Sequence, residues 1–177
     1  MRALTRALNR ALRPALGGAA LLLGLGLACT RSEPPKVCTQ IGCMDGLRIA
    51  LEPSAGMPAG AYVFEVELDG AVTTCEGSLP LKACEAGPSV KCSTEAVLIE
   101  ESGCAMAPAG QSFSGIILDR QHPERVKLTI RRDGEAVGEA DFSPDYVRTE
   151  PNGPGCPPVC EQASATVQLH TASNRPT

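Results

Sequence analysis

Cysteine constrains this chain more than any other feature: nine are present, and setting Cys29 in the N-terminal segment aside leaves eight, Cys38, Cys43, Cys75, Cys84, Cys92, Cys104, Cys156 and Cys160. An even set of this density reads as a disulfide framework or as a metal site. A zinc site takes CxxC knuckles or Cys/His pairs at ligand spacing. Here the tightest pair is Cys156 and Cys160, with Pro-Pro-Val between them, and the histidines are His122 and His170. The pattern therefore predicts four bridges, no metal and no other cofactor. Disulfides persist in oxidising compartments, so the same pattern predicts an exported chain.

The N-terminus carries the matching export signal. Arg2, Arg6, Arg10 and Arg13 precede a stretch from Ala15 to Leu27 without a charge, and the first acid is Glu33. Thirteen residues are too few for a membrane span, which needs about 20. They suit the apolar core of a signal peptide behind a basic head. Small residues at Gly26 and Ala28 suit cleavage after Ala28.

The residues Leu25-Gly26-Leu27-Ala28-Cys29 resemble a bacterial lipobox. The resemblance implies a diacylated sulfur on Cys29, with palmitate-type chains, cleavage just before it, and acylation of the new amino group. Gly26 stands where that family prefers Leu. Gly26-Leu27-Ala28 also suits an ordinary signal peptidase, which would release a soluble periplasmic or secreted protein. Cysteine parity favours the lipid, because a ninth pairing cysteine would be left over. Two or more acyl chains anchor stably where one does not, so the implied partner is a membrane. Thr30, rather than Asp, follows Cys29, which by resemblance implies the outer membrane. The predicted divisions are a signal peptide over 1–28, a tether over 29–37, a domain over 38–171 and a disordered tail over 172–177. Ser32, Pro34 and Pro35 make the tether extended and polar.

Residues 1–28 hold four of the 16 basic residues and no acid, so the mature chain has 12 basic and 20 acidic residues, a formal charge of −8. Such a chain gains nothing from phosphate attraction, so no nucleic-acid partner is expected. The remainder is one domain's length and large enough to bury a core.

Apolar residues beyond the tether recur at period two, not 3.6. The recurring apolar sets are Leu47, Ile49 and Leu51; Tyr62, Phe64, Val66 and Leu68; Val126, Leu128 and Ile130; and Ala163, Ala165, Val167 and Leu169. Ala96 to Ile99 and Ser112 to Leu118 read as central strands. Two Asp-Gly pairs mark hairpins. A two-residue loop at Asp69-Gly70 sets Leu68 opposite Ala71, Val66 opposite Thr73 and Phe64 opposite Cys75. At Asp133-Gly134 a two-residue loop would bring Glu139 and Asp141 inward. A three-residue loop with Gly134 left-handed puts Ala136, Gly138, Ala140 and Phe142 inside instead. About eight short strands predict an all-β, antiparallel β-sandwich, immunoglobulin-like in outline and disulfide-stapled. A jelly roll or small barrel is the alternative.

Residues 149–160 hold four prolines and two glycines and admit no regular structure. Their cysteines are expected to tie to Cys38 and Cys43, stapling the start of the domain to its last strand. Cys84 with Cys92 and Cys75 with Cys104 complete the expected set, out of 105 possible pairings. The cysteine spacing, the Pro-rich run to Cys160 and the strand pattern together resemble uncharacterised cysteine-rich bacterial lipoproteins. That resemblance brings no activity with it.

No catalytic constellation stands out. Gly110-Gln-Ser-Phe-Ser-Gly115 lacks the G-x-S-x-G spacing of a nucleophile elbow, and Ser112 or Ser114 would need His122 or His170 as base. Glu65 with Glu67, and Glu100 with Glu101, read as solvated faces and strand ends. Arg125, Lys127, Arg131 and Arg132 form a stripe balanced by neighbouring acids. Tyr146 is the one aromatic expected to be exposed. The expectation is a non-enzymatic, membrane-anchored envelope lipoprotein with a structural or adhesive role. The alternative is a ligand-binding module for a small molecule or polypeptide.

Overall fold

The structure is a computed structural model that describes residues 36–53 and 56–170. The signal segment, Cys29 and the tail expected over 172–177 lie outside the described residues. Of the tether, Lys36 and Val37 are described, exposed and outside any strand.

The period-two stretches become strands of two five-stranded sheets. Their elements are β1 (Gly46–Pro53), β2 (Gly60–Leu68), β3 (Ala71–Leu79), β4 (Lys91–Cys92), β5 (Leu98–Ser102), β6 (Ser112–Asp119), β7 (Val126–Arg132), β8 (Glu135–Phe142), β9 (Val147–Thr149) and β10 (Cys160–Leu169). One sheet runs β5-β6-β1-β10-β9 and the other β4-β3-β2-β7-β8. The fold is a β-sandwich, not a closed barrel. Pairing is antiparallel except between β1 and β10, which run parallel from Gly46 opposite Gln162 to Pro53 opposite Leu169. Ala96 to Ile99 does not form a central strand: β5 starts at Leu98 and sits at the sheet edge.

Alternation fills the space between the sheets. Leu47, Ile49 and Leu51 of β1 and Phe113, Ile116 and Leu118 of β6 face Tyr62, Phe64 and Val66 of β2 and Val126, Leu128 and Ile130 of β7. Phe113 meets Tyr62 and Phe64 edge-on across the sheets, each at 5.3 Å between centroids. A bulge lets β6 present both Phe113 and Ile116 inward: Glu100 pairs with Gly115 and Glu101 with Phe113, so Ser114 is skipped. Gly46 has a φ of 116°, and a side chain there would overlap the Leu118 carbonyl, so β1 can begin only on glycine.

The first hairpin has the expected register, Leu68 to Ala71, Val66 to Thr73 and Phe64 to Cys75. Positive φ at Asp69 (49°) and Gly70 (89°) gives the turn that matches strand twist. The second hairpin differs from expectation. Its loop is also two residues, with Asp133 at 52° and Gly134 at 88°, and Arg132 faces Glu135. The extra residue sits in a bulge at Val137, after which Leu128 meets Ala140 and Val126 meets Phe142. A three-residue loop would have turned Val137 outward. The bulge buries it to 4% exposure and keeps the register that places Glu139 and Asp141 outside.

Because β1 and β10 start side by side, the segments leading into them are neighbours. Cys38 bonds Cys156, and Cys43 bonds Cys160, which joins the domain's entry to its last strand as expected. The other expected pairs, Cys84–Cys92 and Cys75–Cys104, are corrected: the bonds are Cys75–Cys92 and Cys84–Cys104. The reason is β4. It pairs with β3 so that Cys92 stands directly opposite Cys75, leaving Cys84 and Cys104 in loops. Four disulfides mark an oxidising, extracytoplasmic folding environment.

Candidate functional site

A cluster of hydrogen-bonded polar side chains lies at the end where β1 and β10 begin. Asp45, just before β1, accepts the Glu161 N–H at 2.7 Å on Oδ1. The same oxygen lies 3.2 Å from His122 Nε2, which is also 3.2 Å from the Glu161 carbonyl. Both neighbours are acceptors, so Nε2 carries the hydrogen. The Asp45 carboxyl is held below the usual range, chiefly by the Glu161 N–H and further by His122 and Arg120. The Tyr146 ring meets His122 edge-on at 5.1 Å, and its hydroxyl donates to the Pro123 carbonyl at 3.3 Å. The sequence reading of Tyr146 as an exposed aromatic is therefore corrected: it is half-buried and packed against the core.

Beside this cluster runs an open groove of about 460 Å³ lined by Leu68, Asp69, Val72, Thr73, Thr94 and Gln121, among others. Its polar groups are already engaged. Asp69 accepts the Glu124 and Arg125 N–H groups at 3.2 and 2.8 Å. Thr73 and Thr94 share a 3.0 Å hydrogen bond, and Gln121 donates to the Ala96 carbonyl. A second open groove, about 530 Å³, lies against the entry segment and Pro157–Pro158. The hollow between Met57, Tyr62, Arg132, Val137 and Leu169 holds about 10 Å³, room for one water at most.

Burial lifts the Tyr146 phenol to about 12, with the Asp69 charge adding to it, and burial also raises Tyr62. A phenol whose folded value is raised contributes stability that is present below pH 10 and lost as pH climbs through the folded value. Absorbance at 295 nm is accordingly expected to show Tyr146 ionising near 12 and Tyr62 above the usual phenol value in the folded protein. Half the phenols titrating normally at pH 10 would contradict this packing.

The residues considered for catalysis are not brought together. Ser112 opens β6, whereas His122 follows that strand's far end. Ser112 lies in β6 and His170 follows β10, strands that do not pair because β1 lies between them. Ser114 lies 3.5 Å from the Glu100 carbonyl. The acids serve structure: Glu100 pairs with Arg48 at 2.9 Å, Glu65 with Arg131 at 3.6 Å, and Glu101 accepts the Ser89 and Val90 N–H groups. The basic stripe is balanced, with Arg125 bidentate on Asp141 at 2.9 and 2.8 Å, which lowers that carboxyl. Arg132 lies 3.8 Å from Asp133. Lys127 stands opposite Glu67 and Asp141 in the sheet.

Sequence reasoning missed Asn152. Its Oδ1 accepts from Ile41 N at 2.8 Å and Thr39 Oγ1 at 2.5 Å, and its Nδ2 donates to the Ile41 and Pro157 carbonyls at 3.0 and 2.6 Å. The Pro-Asn-Gly run signals a turn, but nothing local names a partner over a hundred residues away. Each of the eight expected bridge cysteines is in a disulfide, and no group of three metal-binding side chains is placed to share an ion among the described residues. No family model matches the chain, and no curated protein or solved structure is significantly similar to it.

Proposed function

We propose that this chain is a lipid-anchored envelope protein whose β-sandwich is non-catalytic and serves a structural or adhesive role. One observation supports the anchor: the eight cysteines beyond Cys29 pair among themselves, so no cysteine of the same chain is left over for it. Its setting behind a charge-free stretch and before a Pro-containing segment then suits lipid attachment, with Thr30 favouring the outer membrane. In the groove beside His122 the polar side chains of Asp69, Thr73, Thr94 and Gln121 are already hydrogen-bonded within the protein, which supports the non-catalytic reading. The 460 Å³ groove beside His122 favours a second reading, binding of a small molecule or polypeptide.

Cys29→Ser tests the anchor. The wild-type protein is expected to sediment with membranes and enter a detergent phase, and C29S to remain in the aqueous phase. Equal partitioning of the two would overturn the proposal.

A further inference from the structure

The four disulfides are unequally placed. Cys75, Cys156 and Cys160 are 0%, 1% and 4% exposed, so three of the bonds each hide one partner in the core. The fourth, Cys84–Cys104, has no buried partner, and Cys84 is the one exposed cysteine among the eight. This bond ties two loops at the end of the sandwich opposite the Cys38–Cys156 staple, residues 80–90 and 103–111.

We infer that Cys84–Cys104 is a reversible thiol–disulfide exchange site, attacked by external thiols at the Cys84 sulfur. A thiolate of an external dithiol bonds to Cys84 Sγ. The Cys84–Cys104 bond breaks, and its electron pair leaves with Cys104 Sγ, which takes up a proton. The dithiol's second sulfur then attacks its own mixed disulfide and releases Cys84 as a thiol. The dithiol is oxidised by two electrons and the protein bond is reduced by two. Exchange of this kind goes fastest where the sulfur is accessible.

The fold keeps the consequence local. Gln111, 6% exposed, accepts the Leu81 N–H at 2.6 Å and donates to the Met106 carbonyl at 3.0 Å. The Glu101 carboxylate holds the Ser89 and Val90 N–H groups at 2.6 and 2.8 Å. These bonds clasp both loops without the disulfide. Opening it therefore loosens residues 83–88 and the neighbourhood of Cys104, while Met106 stays held by Gln111 and the sheets stay paired. The exposed run Ala105–Gly110, which carries no charge and presents Met106 at 60% exposure, adjoins the reduced Cys104.

The test is graded reduction of the purified protein with dithiothreitol, quenched with iodoacetamide and read by intact mass and peptide mapping. The first species is expected to carry two labels, at Cys84 and Cys104, with an unchanged far-ultraviolet spectrum. Limiting glutathione is expected to leave a mixed disulfide on Cys84. In C84S/C104S the fast labelling phase is lost and the slower six remain. A first pair of labels elsewhere, a mixed disulfide on Cys104, or all eight cysteines opening together with unfolding would each overturn the inference.

Discussion

A variant with Cys38, Cys43, Cys156 and Cys160 all replaced by Ser is expected to lose about 8 kcal/mol of stability and to be largely unfolded at 37 °C. Each bond alone closes a loop of 117 or 118 residues. The chain-entropy model assigns such a loop about 5 kcal/mol. The two are not independent, however. With one bond intact, the other closes a small ring of about eleven residues, worth about 3 kcal/mol in the same model. Losing Cys38–Cys156 alone, or Cys43–Cys160 alone, should thus lower stability by about 3 kcal/mol, and losing both by more than twice that. Domains of this kind have roughly 5–15 kcal/mol in total, so the single-bond variants should fold, whereas the double loss exhausts the stability of a domain in the lower part of that range. Urea unfolding followed by circular dichroism measures all three. A double variant no less stable than either single one would contradict the stapling of β1 to β10.

Phe113→Ala carries the next largest expected effect, a loss of about 3–5 kcal/mol. The ring is fully buried and is the contact through which β6 meets both Tyr62 and Phe64 of the opposite sheet. Truncation removes its transfer energy, leaves a cavity between the layers and breaks two edge-to-face pairs, each worth about 0.5–1.5 kcal/mol. Phe142→Ala, at the half-buried margin of β8, should lose clearly less. Equal losses at the two positions in a denaturant series would place the centre of the core elsewhere.

The strands most legible in the sequence are those whose two faces meet different surroundings. β2, β7 and β10 alternate because one face packs and the other is wet, and Asp69-Gly70 fixes its own register through the turn it requires. β4 was illegible because Lys91-Cys92 is too short for any period, and the Cys75–Cys92 bond depends on it. At Asp133-Gly134 the need for one extra residue was readable from the charges. Its place was not: a loop and a bulge satisfy the same pattern, and the fate of Val137 decides between them only once the opposite sheet is present. The parallel pairing of β1 with β10 arises between segments more than a hundred residues apart, which no local pattern encodes. The Asp45–His122–Glu161 cluster and the Asn152 latch were hidden for the same reason, since each gathers polar groups from distant turns.

On the proposed reading Cys29 bears lipid, while the other eight cysteines are bonded in pairs. Intact-mass measurement of the mature protein, purified from membranes without reductant, tests both halves at once. The expected mass is that of a chain beginning at Cys29, increased by three acyl chains and their glyceryl linkage and lacking eight hydrogens. A mass beginning at Cys29 or later without lipid, or one retaining thiol hydrogens on the eight cysteines, would contradict it.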